Sequence, residues 1–133
     1  MQPSTDLKKI LAHMQPELNP GRYAFVALPD GHGLDYALAV ASIREAEGVS
    51  VILPEQVARD LKLPAAFTAA WITLKVHSDL SAVGLTSAFS TALAEAGISC
   101  NVVAGVHHDH LFVPFDRAQQ AMDTLMALSR PAS

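Results

Sequence analysis

The spacing of apolar positions changes period several times along the chain, and each change marks an element. Asp6 to Met14 (DLKKILAHM) sets Leu7, Ile10, Leu11 and Met14 on one helical face, with Asp6 as a cap or first-turn residue. Pro16, Asn19, Pro20 and Gly21 then break the chain. Tyr23 to Leu28 (YAFVAL) reads as a buried strand, and Pro29 to Gly33 (PDGHG) as a flexible loop in the position of a lid. Ala39 to Glu45 and Val49 to Leu53 form a hairpin that turns at Glu47-Gly48. Pro54 suits the first turn of a helix over Glu55 to Leu61, because its missing N–H is no loss there, and Pro64 closes that segment.

A second set follows. Ala70 to His77 (AWITLKVH) alternates as a strand, and Ser78 to Ala82 is a loop. Val83 to Ala96 is a helix with Leu85, Phe89, Leu93 and Ala96 in register, closed by Gly97. Ile98 to Val106 and Leu111 to Phe115 are strands with His-His-Asp-His between them. Asp116 caps a last helix, Arg117 to Leu128, whose apolar face is Ala118, Ala121, Met122, Leu125 and Leu128. From Trp71 the order is therefore β-α-β-β-α. The first half reads β-β-β-α, with the loop Pro29 to Asp35 where a first helix would stand. Each half matches one split β-α-β unit on an antiparallel sheet, although the halves share no obvious identity. The last strand of a full β-α-β-β-α-β unit is missing after the final helix.

Composition narrows the function classes. Half of the 133 residues are hydrophobic, 17% are charged and the net charge is −4. That supports a buried core, and no basic stripe stands ready to neutralise phosphates, so nucleic acid is not an expected partner. Neither a signal-peptide pattern nor an apolar run of membrane-spanning length is present. Cys100 is the single cysteine, which rules out an intrachain disulfide and fits a reducing, cytoplasmic setting.

The stretch Ser78-Asp79-Leu80-Ser81-Ala82-Val83-Gly84-Leu85, followed by Leu93-Ala94-Glu95-Ala96-Gly97-Ile98-Ser99, resembles the ACT domain, a small ligand-binding module of amino-acid metabolism. Arg44-Glu45-Ala46-Glu47-Gly48 and Pro54-Glu55 extend the likeness to the small stand-alone tandem ACT proteins of bacteria. The resemblance implies an α+β protein of two ferredoxin-like halves with antiparallel sheets and helices on one face. The division expected along the chain is a helix plus a degenerate ACT-like half over residues 1–66 and an ACT domain over 67–133. The resemblance also implies a non-catalytic sensor, a small-molecule ligand such as an amino acid, and no cofactor. Low charge and apolar helix faces add the expectation of a homodimer.

For the loop running into the second-half helix, two readings stand together. An anion could dock on unpaired N–H groups at the helix start, with Asp79 receiving an ammonium and Gly84 allowing close approach. Equally, the loop could be a capped helix start packed on a sheet. The resemblance favours a ligand there, with His77, Asp79, Leu80, Val83, Gly84, Leu85, Asn101 and His110 as candidate contacts. Arg44, Glu45 and Glu47 read as surface ion-pairing residues near the junction of the two copies. Cys100 reads as a small buried residue rather than a nucleophile.

His107, His108, Asp109 and His110 raise a third possibility, a metal-dependent enzyme. On a strand His108 and His110 share one face. A zinc or iron site needs further ligands, from His77, His32 or Cys100, and the spacing demands none of them. No HExxH or CxxC motif is present, so the cluster is expected to be a hairpin tip without a native metal. A structural module without a ligand is the remaining alternative.

Overall fold

The computed structural model describes residues 7–75 and 84–129, apart from the Lys8 side chain. Among them the chain forms α1 (Leu7–Ala12), β1 (Gln15–Leu18), β2 (Tyr23–Ala27), β3 (Ala41–Glu45), β4 (Gly48–Pro54), α2 (Glu55–Asp60), β5 (Phe67–Lys75), α3 (Leu85–Glu95), β6 (Asn101–Ala104), β7 (Asp109–Pro114) and α4 (Ala118–Ser129). Single 3-10 turns cover Tyr36–Leu38 and Phe115–Arg117. Two compact units result, and one interrupts the other: residues 20–70 form one, while 1–19 group with 71–133. Within this grouping α1 and β1 pack with the second-half elements.

In the unit of residues 20–70 the strand order is β3-β4-β2 followed by the first residues of β5, all antiparallel. Ala24, Val26, Leu28, Val51, Leu53 and Ala58 are buried together, with Leu34, Ala39, Val49, Val57 and Leu63 packed around them. The alternation along β2 fits one face turned to this core. A helix α2 covers β2 and β4. The first helix of a complete βαββαβ unit is replaced by the 3-10 turn at Tyr36–Leu38, which Asp35 caps by accepting from the Ala37 N–H at 3.0 Å.

In the other unit the order is β1-β5-β7-β6. The missing last strand is supplied from the N-terminus: β1 lies antiparallel to the second part of β5, with Pro16 opposite Leu74 and Leu18 opposite Ile72. The sequence was expected to break over Pro16 to Gly21, and the strand occupies part of that stretch. Two features hide it. The strand has four residues with little burial, and it carries a proline, which is tolerated on a strand that pairs on one side only. The helix α1 packs against α3 and α4, and α4 lies against β1 and β7. Phe89, Leu93, Leu111, Val113 and Leu125 are completely buried in this unit.

Smaller corrections concern element ends. The strand expected over Ile98 to Val106 shrinks to Asn101–Ala104, since Ile98 bonds back to Leu93 O as part of the α3 C-terminus. Asp116 does not stand before a helix as its cap: it lies inside the 3-10 turn that leads into α4. The α3 helix starts at Leu85, with Gly84 as its N-terminal flanking residue.

Candidate functional site

Four of the eight candidate residues, His77, Asp79, Leu80 and Val83, lie outside the described residues. The other four fall at two places in the same unit. Gly84 stands at the start of α3 with φ +100°, a backbone state that side chains with a Cβ rarely adopt. The approach that its missing Cβ permits is made by the chain itself: a Cβ built there would lie 3.3 Å from Leu7 Cδ2. Leu85 is 5% exposed and belongs to the core, so its side chain serves packing.

Asn101 and His110 sit on the β6–β7 hairpin. The register pairs Asn101 with Phe112 and Val103 with His110, and directly opposed residues of an antiparallel pair share a face. Asn101 and His110 are therefore on one side of the sheet, with Asn101 exposed and His110 half-buried. The turn between the strands runs from Gly105 to His108, closed by a Gly105 N–H bond to His108 O at 2.9 Å. His107 and His108 lie in this turn as expected, whereas Asp109 and His110, expected between the strands, are the first residues of β7 and pair with Ala104 and Val103.

His110 is the centre of a polar cluster that sequence reasoning did not assemble. Trp71 Nε1 donates to His110 Nδ1 at 3.1 Å, and Thr73 Oγ1 lies 3.4 Å from the same nitrogen. Asn19 Nδ2 donates to Thr73 Oγ1 at 2.9 Å and to Trp71 O at 3.2 Å. Trp71 also stacks on Phe112 with ring centroids 6.2 Å apart. Of these residues only His110 was a candidate. Asn19 reads in sequence as a turn residue, and Trp71 and Thr73 as ordinary strand positions. The alternation of Trp71, Thr73 and Lys75 along β5 was the available signal.

Electrostatics follow from burial and from the neighbouring charges. Burial lowers the His110 pKa from its ordinary value of 6.5, His108 lowers it further, and Asp109 opposes both. Burial raises the Asp109 pKa above the ordinary carboxylate value of 3.8, against the pull of His110 and His108. The neighbouring His108 has Nδ1 buried without a hydrogen-bond partner among the described residues. Cys100, just before β6, has its thiol pushed up to about 11 by burial, which keeps it protonated and a poor nucleophile. Among the described residues no group of three His, Cys, Asp or Glu side chains could hold a metal ion, and no helix is long and apolar enough to cross a membrane.

Two family models match the chain in tandem, both for the ACT domain, over residues 2–70 and 67–127. The chain belongs to the ACT-domain family. Its fold agrees, as an α+β arrangement of two ferredoxin-like ACT halves with antiparallel strands. ACT domains are regulatory rather than catalytic modules, and they typically bind small molecules. Among solved structures, this ACT protein is similar to a Vibrio cholerae protein of unknown function described as a possible transport protein, at 43% identity and TM-score 0.82 over 93% of this chain and 96% of that one. It is also similar to an Agrobacterium tumefaciens protein, at 18% identity and TM-score 0.65, covering 87% and 89% of the two chains. The regulatory subunit of aspartate kinase from Thermus flavus shares the fold at 10% identity and TM-score 0.56, over 88% of this chain and 97% of that one. No curated protein matches the chain.

Proposed function

We propose that this ACT protein is a non-catalytic cytoplasmic sensor that binds an amino acid in the unit containing α3. The ligand would lie at the segment 77–85, with Asn101 and His110 reaching it from the β6–β7 hairpin. The observation that carries this reading is the Asn19–Thr73–His110–Trp71 cluster. It gathers hydrogen-bonding side chains on one sheet face, next in sequence to the segment at which the family resemblance implies a ligand. Sensing would work by population shift: the ligand joins two elements and favours the arrangement that a partner recognises. A homodimer is the proposed assembly, supported by β3, which pairs only with β4 among the described residues and exposes Ile43.

The test is thermal-shift screening of the common amino acids, read alongside Trp71 fluorescence. A ligand that binds the folded state raises the melting temperature, by an amount equivalent to about 2.7 kcal/mol at a hundredfold excess over its dissociation constant. No stabilisation by any amino acid at millimolar concentration would defeat the reading.

One observation favours a second reading, a structural module with no ligand. The Leu7 side chain already fills the approach to Gly84. On that reading Leu7→Ala leaves the ligand screen blank, whereas on the first it leaves binding intact or strengthens it.

A further inference from the structure

The loop Pro29-Asp30-Gly31-His32-Gly33 takes no part in the site proposed above. It leads from β2 to the 3-10 turn at Tyr36–Leu38, within the unit of residues 20–70. Its two flanks are tied down. On one side the Leu28 N–H donates to Val49 O at 2.9 Å. On the other the Leu34 N–H donates to His32 Nδ1 at 2.7 Å, and Asp35 accepts from the Ala37 N–H at 3.0 Å. Between these ties Asp30 and Gly31 are exposed, and neither makes a hydrogen bond among the described residues. Gly31 stands in a turn at φ +69°, and a Cβ built on it would meet nothing within 4 Å. The Asp30–Gly31 peptide is thus uncrowded and unpinned, and its dihedrals rotate at little cost.

That freedom matters because an aspartate side chain can close on the backbone nitrogen of the next residue. The Gly31 nitrogen attacks Asp30 Cγ, an N–Cγ bond forms and water leaves, which gives a five-membered succinimide. Water then adds to either ring carbonyl. Opening at Cγ restores aspartate. Opening at the backbone carbonyl carbon of Asp30 leaves the chain running through Cγ, as isoaspartate with a free α-carboxylate. The water lost is regained, so the composition is unchanged and no oxidant or reductant enters. Closure needs a backbone free to turn, a nitrogen not engaged as a hydrogen-bond donor, and a following residue without a Cβ to block the approach.

Among the described residues Asp30 is the one aspartate that meets all three conditions. Asp35 is held by its cap bond, Asp60 accepts from Gln56 Nε2 at 2.8 Å at the end of α2, and Asp123 accepts from Gln119 Nε2 at 2.9 Å inside α4. Asp109 is paired in β7 and Asp116 lies in a 3-10 turn. Each of these five is followed by a residue that carries a side chain.

We propose that Asp30-Gly31 is a site of spontaneous covalent modification, at which the folded protein converts aspartate to isoaspartate. The ties at Leu28 and Leu34 confine the added backbone methylene to the loop, so Ala24, Val26 and Leu28 keep their places in the core. Exposed loop tips tolerate such a change. The product shifts a negative charge along the loop and displaces His32, while the rest of the unit stays as it was. This proposal is independent of the ligand reading above.

The test is incubation of the full chain, native and in urea, in mildly acidic buffer at body temperature. Isoaspartate is read by methyl transfer from labelled S-adenosylmethionine with a protein-isoaspartate carboxyl methyltransferase. Electron-transfer fragmentation of the tryptic peptide Tyr23 to Arg44 places it. Isoaspartate at residue 30 is expected to accumulate in the native protein at a rate within about tenfold of that in urea, as for a segment whose local opening costs close to nothing. Asp30→Glu should keep the parent melting temperature and lose the signal, because its ring would need six members. A native rate lower than the urea rate by more than about tenfold overturns the proposal. Earlier accumulation at another aspartate overturns it too, as does an undiminished methyl-transfer signal in Asp30→Glu.

Discussion

The indole N–H of Trp71 donates to Nδ1 of His110 across 3.1 Å, and this bond assigns the histidine proton to Nε2. Protonating His110 would set two donors against each other. Trp71 is the single tryptophan of the chain, so its fluorescence reports the state of this pair directly.

A pH prediction follows. The folded-state pKa of His110 lies below the ordinary 6.5, through burial first and His108 second. As pH falls, the unfolded chain takes up the proton first. The stability contributed by neutral His110 is therefore whole above 6.5 and is lost as pH falls through the lowered value. Asp109 has a raised pKa and acts with the opposite sign: the advantage of its protonated folded form exists below 3.8 and is lost as pH rises through the raised value. A fall in urea stability just below pH 6.5, accompanied by a Trp71 fluorescence change, is expected. His110→Phe should flatten both.

Cys100 should alkylate slowly. A thiol held near 11 has a thiolate fraction at neutral pH smaller than that of a free cysteine, by on the order of a hundredfold. Iodoacetamide labelling followed by mass spectrometry checks this, and labelling in denaturant should proceed at the ordinary rate.

Gly84→Ala should destabilise the protein by about 1–3 kcal/mol, from the positive φ together with crowding against Leu7. Adding Leu7→Ala relieves the crowding and leaves the backbone cost, so the double variant should not recover in full relative to Leu7→Ala alone. Chemical denaturation of the four proteins in the cycle measures this.

Phe89→Ala removes a completely buried ring from the face of α3 and should cost about 3–5 kcal/mol. By contrast Glu55→Gln breaks a pair with Arg59, whose side chain is 67% exposed, and should change stability by less than about 1 kcal/mol. Thermal melts of the two variants give the comparison.

Much of the fold is legible in local patterns. Leu85, Phe89 and Leu93 recur at helical spacing, and all three are buried in α3. The β3–β4 hairpin is announced by Glu47-Gly48, where Gly48 takes φ +138°. The candidate site was only partly legible. Gly84 could be seen as a place of close approach, but what approaches is Leu7, some eighty residues earlier in the chain. Asn19, Trp71 and Thr73 join His110 through contacts over sequence separations of 37 to 54, which no local period encodes.

By itself, the sequence determined most of the element types, the buried helix faces and the hairpin at the histidines. Those depend on period, turn chemistry and short-range spacing. Only the tertiary structure decided that β1 completes the sheet beside β5 and that α1 and β1 pack with the second-half elements. Pairing across a sheet is a long-range choice, made by whichever segment best satisfies an open edge. A four-residue, proline-bearing strand carries too little pattern of its own to reveal that choice.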